Sequence, residues 1–143
     1  MLLLDVNVLV YAHRRDVADH VRYLSFVENV LTGESAQGVS DLVLSGFVRI
    51  VTHPRIFKIP SSLETALAFT DRIRSRENAL VIGPGPRHWD IFQRLCRESG
   101  AKGNLVPDAF LAAIAIEAGA EFVTTDHDFS RFSGLRCRHP FDG

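Results

Sequence analysis

The stretch PDAFLAAIAIEAGAEFVTTD, residues 107–126, contains the two transitions that decide the fold. Its first part is Ala-rich and apolar on nearly every side, which marks a helix buried all round rather than an amphipathic surface helix. Gly119 offers the left-handed conformation that ends such a helix. AEFVTT follows as a short, apolar, non-alternating strand that stops at Asp126. A buried helix feeding a strand that is apolar on both faces is half of a parallel crossover unit.

The same alternation runs through the rest of the chain. LLLDVNVLVYA (2–12) reads as a first strand running into a helix start. ADHVRYLSFVENVLTG (18–33) places Val21, Leu24, Val27, Val30 and Leu31 on one helical face and ends at Gly33. GVS (38–40) is a short strand, and DLVLSGFVRIVTH (41–53) is a helix stopped before Pro54. Ser61 and Glu64 have capping-box spacing ahead of the helix ETALAFTDRIRSR. ALVIG (79–83) is another strand, and a further helix covers roughly residues 86–99. Short apolar strands alternating with helices predict an α/β domain whose parallel sheet is covered on both faces.

A length of 143 residues fits one domain spanning 1–143. Cys96 shares a helix face with Trp89, Phe92 and Leu95 and reads as a core thiol; with Cys137 it forms neither a metal cluster nor a disulfide framework. The apolar runs are far below the roughly 18 residues of a membrane span, and no signal peptide is recognisable. A reduced cytoplasmic protein is the expectation, with no membrane partner. The net charge is −1, but 14 of the 16 basic residues are Arg, whose planar fork suits phosphate. Gathering four acids at one site would leave the remaining surface at about +3, a balance suited to nucleic acid. An Arg-rich proteome accounts for the same composition.

Asp5 interrupts the apolar run of the first strand, and a charge in low dielectric needs a partner or a cation. Asp126 stands where another apolar strand surfaces, and Asp108 opens the most apolar helix directly after Pro107. Singly, each has a structural reading: Asp5 as a helix cap, Asp126 as the start of an Asx-turn, Asp108 as a favourable charge at a helix N-terminus. Jointly, the topology of an open α/β sheet brings strand ends and following helix starts to one edge. Carboxylates so gathered raise one another's pKa unless a cation screens them, and oxygen ligands favour Mg²⁺ or Mn²⁺. Asn7 is then a nearby polar partner.

LLLDVNVLVYAHR, VRIVTHPRIF, GNLVPDAFLAAIAIEAGAEFVTTDHDFSRFSGL and the terminal Pro-Phe together resemble a PIN-domain ribonuclease, of the VapC toxin type abundant in mycobacteria. The match runs nearly end to end and is most specific from Gly103 to Phe132. The resemblance implies a three-layer α/β/α sandwich with a central, mostly parallel sheet of four to five strands. It further implies Mg²⁺-dependent endonucleolytic cleavage of RNA, neutralisation by a cognate VapB-type antitoxin, and a homodimer. Carried over, Asp5 and Asp108 match the principal metal-binding acids, and Asp126 the further acid at the end of the fourth strand. Asp128 is a secondary candidate, and Asn104 and Thr125 match polar positions around the site. One position departs: Gly46 stands where such proteins commonly carry a Glu. Asp41 is the only nearby carboxylate, and about 140° of helix rotation separates it from position 46. It reaches the site only from the strand–helix junction; otherwise it caps its helix.

Among the basic residues, Arg14, Arg15, Arg49 and Arg55, with His13, His53 and Lys58, are candidates for gripping RNA phosphates. For Arg49, inside an apolar helix, an ion pair with one of the acids is the alternative. The histidines make no zinc pattern, and the glycines at 83 and 85 lack the spacing of a phosphate-cradling loop. Two other function classes remain open: a PIN module that binds RNA or an antitoxin without efficient cleavage, as Gly46 allows, and an aspartyl phosphotransferase. The second is disfavoured because Asp-Val-Asn lacks the second acid of that motif.

Overall fold

The computed structural model describes residues 1–142. The chain runs β1 (Leu2–Leu4), α1 (Val6–His13), α2 (His20–Thr32), β2 (Gln37–Val39), α3 (Asp41–Val51), α4 (Leu63–Arg74), β3 (Ala79–Val81), α5 (His88–Ser99), α6 (Leu105–Ala118) and β4 (Glu121–Val123). A 3₁₀ turn over His127–Arg131 and the two-residue strand β5 (Cys137–Arg138) complete it. All five strands are parallel, in the order β3-β2-β1-β4-β5. The expected sheet of four to five strands therefore has five.

From β1 the chain steps outward to β2 and β3, then returns to the other side of β1 for β4 and β5. Parallel connections are right-handed, so this reversal places α1–α4 on one face and α5–α6 on the other. The packing agrees: α1 meets α2 and α3, α3 meets α4, and α5 meets α6. The reversal at β1/β4 is also the switch point at which open α/β sheets bind ligands, beyond the carboxyl ends of their strands.

Each element follows from its residues. α6 buries Ala109, Leu111, Ala112, Ala113, Ile114 and Ala115, and small Ala side chains let it lie close to its neighbours. Gly119 ends it with φ 68°, and its N–H bonds back to the carbonyls of Ala115 and Ile116. Phe47 of α3, Leu95 of α5, Ile114 of α6 and Phe122 of β4 are fully enclosed and form the centre of the core. The strands are short, three residues in β1 to β4 and two in β5.

Four local expectations are corrected. Ser62, not Ser61, caps α4, its hydroxyl accepting from the Thr65 N–H, while Ser61 instead bonds His13 Nε2 and Arg14 Nη1. In α2 the buried stripe is Tyr23, Val27 and Leu31, at spacings of four, so Val21 falls outside it and is 71% exposed. Trp89 is 59% exposed rather than core, because the buried stripe of α5 runs through His88 and Leu95, and the indole leans on Phe92 instead. Asp108 does not open α6; the helix begins at Leu105, and Pro107 is accommodated in its first turn, where no N–H is needed. Among the described residues no helix is long and apolar enough to cross a membrane.

Candidate active site

Asp5 leaves β1 as the N-cap of α1. Its Oδ1 accepts from the Val6 N–H at 2.7 Å, and its own N–H donates to the Val123 carbonyl of β4 at 2.9 Å. Strand end and helix start thus share one residue, at the positive end of the α1 dipole. Its second oxygen, Oδ2, accepts from the Thr124 hydroxyl at 2.7 Å, and Thr124 Oγ1 in turn accepts from the Asp126 N–H at 3.0 Å. The side chain is only 6% exposed. Burial pushes its carboxyl above the ordinary aspartate value; the bonds from Thr124 and Val6 partly offset this, and Asp126 adds to it.

Asp126 lies three residues beyond β4, half-buried, and its Oδ1 accepts from the Asp128 N–H at 2.9 Å in the Asx-turn its sequence predicts. Asp128 is exposed and held by Arg131 at 3.3 Å. Asp108 reaches the same edge from the first turn of α6. A helix that leads into a parallel strand runs antiparallel to it, so its N-terminus lies at the strands' carboxyl ends. Its carboxyl is pushed up to about 6, first by burial and then by the charges of Asp126, Asp5 and Asp128. Four of the predicted acids therefore occupy one electrostatic neighbourhood at the switch point. Asn7 joins it weakly, its Oδ1 accepting from the Thr125 N–H at 3.4 Å. Asn104 stands exposed ahead of α6, and its side chain makes no capping bond.

Asp41 is not brought to this group. Ser40 takes the N-cap of α3, and Asp41, one position later, is exposed and paired with Arg74, whose Nε donates to its Oδ1 at 2.9 Å. That hydrogen bond lowers its pKa, opposite to the direction at Asp5 and Asp108. Gly46 packs against α1 beside the cluster: a Cβ built there would stand 3.2 Å from Val6 Cγ2, the residue after Asp5. Thr124, whose hydroxyl joins Asp5 to the Asp126 backbone, is not singled out in the sequence; Thr125, which is, contributes only its backbone N–H, to Asn7.

The basic candidates separate. Arg14 is tied to Asp16 at 2.6 Å and to Ser61, and its guanidinium lies 4.1 Å over the Phe57 ring, so it serves packing rather than ligand capture. His13 bonds Ser61 and lies edge-on to Phe47 and Phe69. Arg49 is exposed and, among the described residues, makes no ion pair, so the pairing expected of it does not form; Arg15 and Arg55 are likewise exposed and unpaired.

The donor chemistry fits a hard divalent cation, since every candidate donor is an oxygen and the Asp108 carboxyl is held up by burial and then by its acidic neighbours. Among the described residues no three His, Cys, Asp or Glu side chains converge closely enough to enclose an ion by themselves. An ion here would need water to complete its shell, as Mg²⁺ does in phosphoryl-transfer sites.

The pattern of the PIN domain family matches residues 2–135. The chain belongs to the PIN-domain family. It is 43% identical over 143 residues to the VapC ribonuclease Mb2897 of Mycobacterium bovis, covering 100% of this chain and 97% of that one. It is 40% identical over 140 residues to ribonuclease VapC25 of Mycobacterium tuberculosis, covering 98% and 99%. Solved PIN-domain toxins share the fold at lower identity. The VapBC2 structure from Rickettsia felis, bound to a promoter DNA fragment, superposes with a TM-score of 0.70 at 22% identity over 96% of this chain and 97% of that one. Mycobacterium tuberculosis VapC20, described as a sarcin–ricin loop cleaving toxin, gives 0.66 at 18% identity over 95% and 99%.

Proposed function

We propose that this PIN domain is an Mg²⁺-dependent endoribonuclease toxin of a type II toxin–antitoxin pair, held inactive by a VapB-type antitoxin. It works as a homodimer in the cytoplasm, with Mn²⁺ a possible substitute ion. The observation that carries the reading is the placement of Asp5, Asp108, Asp126 and Asp128 in one electrostatic neighbourhood at the β1/β4 switch point, with the Asp108 carboxyl pushed up to about 6 by burial and then by the other three charges. Relatives at 40–43% identity that carry the name ribonuclease support the substrate class.

In this reading Asp5 and Asp108 are the principal metal-holding acids and Asp126 the third. When bound, a divalent cation supplies the positive charge and Lewis acidity that a phosphodiester displacement needs. The chain's own work is positional. Thr124 ties Asp5 Oδ2 to the Asp126 backbone through one hydroxyl, which positions the two residues relative to each other. Asp126 and Asp108 present acceptor oxygens for the proton of an attacking water. Arg15, Arg49 and Arg55 lie unpaired on the surface, available to RNA phosphates on approach. Cleavage leaves a 5′-phosphate and a 3′-hydroxyl.

A second reading has a specific observation behind it. Position 46, beside Val6, carries no side chain, and Asp41 is committed to Arg74. A site short of one acid fits a PIN module that binds RNA or an antitoxin and cuts poorly. Incubating partner-free protein with total bacterial RNA in Mg²⁺, in EDTA, and as Asp5→Asn separates the two. Cleavage requiring both Mg²⁺ and Asp5 supports the nuclease; RNA binding that survives Asp5→Asn without cleavage supports the module.

A further inference from the structure

Beyond the carboxyl ends of β4 and β5 lies a second concavity, a cavity of about 340 Å³. Thr124 and Asp126 form the wall it shares with the acid cluster; His127, Ser130, Arg138 and His139 form the rest that matters here. Its volume is at the low end for a small-ligand site, enough for one nucleotide and too small for a duplex. Its polar groups complement what the acid cluster lacks. The four acids offer only acceptors, whereas an RNA chain laid across them also needs donors and positive charge.

One free donor and one free acceptor face a ligand here, and an arginine already engaged with Glu121 closes the wall. His139 Nδ1 accepts from the Phe141 N–H at 3.1 Å, so the proton of the neutral ring sits on Nε2, which has no partner among the described residues. The Ser130 hydroxyl donates to the His127 carbonyl at 2.7 Å, leaving its oxygen as an acceptor. Arg138 stands by Glu121 at 3.2 Å and donates Nη1 to the Asp142 carbonyl at 3.1 Å, yet its Nε is buried without an aligned acceptor. The turn that sets His139 is itself fixed, the His139 N–H donating to Asp142 Oδ2 at 3.0 Å.

We propose that this cavity is a nucleotide subsite. It takes the base and ribose of the RNA residue next to the scissile phosphodiester, with His139 Nε2 as donor and Ser130 Oγ as acceptor reading the base edge. A single unstacked residue is the form in which RNA sequence is usually read. The proposal rests on the acids being the cleavage site, since that places the scissile phosphate one residue away.

Two variants probe it. Ser130→Phe fills the cavity from an exposed position, and His139→Asn keeps an acceptor for the Phe141 N–H while deleting Nε2. In the first measurement UMP, CMP, AMP and GMP are titrated separately into the wild-type protein, with the His127 and His139 ring resonances followed by NMR. In the second, cut sites in total bacterial RNA are mapped by sequencing 5′ ends. One nucleotide should shift both rings more than the other three, and Ser130→Phe should abolish the shift. Both variants should lower kcat/KM at least about tenfold and change the base preference beside the cut, while cleavage stays dependent on Asp5. Ring resonances indifferent to all four nucleotides, with base preference unchanged in both variants, would overturn the subsite. Nucleotide-dependent shifts in a wild-type protein that cuts no RNA would keep the subsite and fail the nuclease reading instead.

Discussion

Asp5 and Asp41 begin helices that follow two neighbouring parallel strands, β1 and β2, and they meet opposite fates. Asp5 is itself the N-cap, so its carboxylate turns back over the strand end, is buried, and has its pKa raised. Asp41 sits one position later, after Ser40 has taken the cap; its carboxylate points outward to Arg74 and has its pKa lowered. One residue of offset at a strand–helix junction separates an acid held against its own charge from an acid neutralised at the surface. Among the described residues Asp5 pairs with no cation, whereas Asp41 has a guanidinium at 2.9 Å.

The largest test of that contrast is cleavage. Asp5→Asn should lower Mg²⁺-dependent RNA cleavage at least about 100-fold, as loss of a group that stabilises developing charge does. Asp41→Asn should leave it within about twofold, since Asp41 has no part in the cluster. Equal losses in the two would erase the distinction. Thr124→Val keeps shape but strips the hydroxyl between Asp5 and Asp126. It should destabilise the fold by about 1–3 kcal/mol, measured by urea unfolding, because a buried carboxylate oxygen and an N–H lose their partner. Cleavage should fall with it, by about tenfold.

A smaller effect sharpens the electrostatic side. Asp108 binds its proton more tightly folded than unfolded, so over the window from 3.8 to about 6 the native state holds the extra proton. Stability from this group is therefore lost as pH rises through that window. In EDTA, Asp108→Asn should raise Tm by about 3 °C at pH 7.5, a figure already reduced for the partial exposure of the site, and leave it unchanged at pH 3.5. Smallest of all, Arg74→Ala should shift Tm by less than about 1 °C, as expected for an exposed ion pair.

Much of this was legible in the sequence because it rests on local pattern. The apolar helix of residues 105–118, its glycine cap and the strand behind it identify a parallel sheet. The acids at strand ends identify its working edge. Two things were not legible. Which of two adjacent residues takes a cap depends on backbone conformation that one-residue shifts hardly alter in sequence terms, and so spacing points to Ser61 where Ser62 caps and leaves Asp41 open between the site and a cap that Ser40 takes. Exposure of Trp89 and Val21 depends on where a helix's buried stripe falls against its neighbours, which apolar spacing constrains only to within one position. The gap at Gly46 was visible as a departure from the family pattern; that it adjoins Val6, and hence Asp5, needed the packing of α1 on α3.

In the proposed reading, Asp5, Asp108 and Asp126 form one charge cluster that takes a divalent cation. The direct measurement is the titration of the Asp108 carboxyl by carbon-detected NMR, in EDTA, with Mg²⁺, and in Asp126→Asn. The predicted result is a midpoint of about 6 in EDTA that moves down both with Mg²⁺ and with Asp126→Asn. A midpoint at the ordinary aspartate value, unmoved by either, would contradict it.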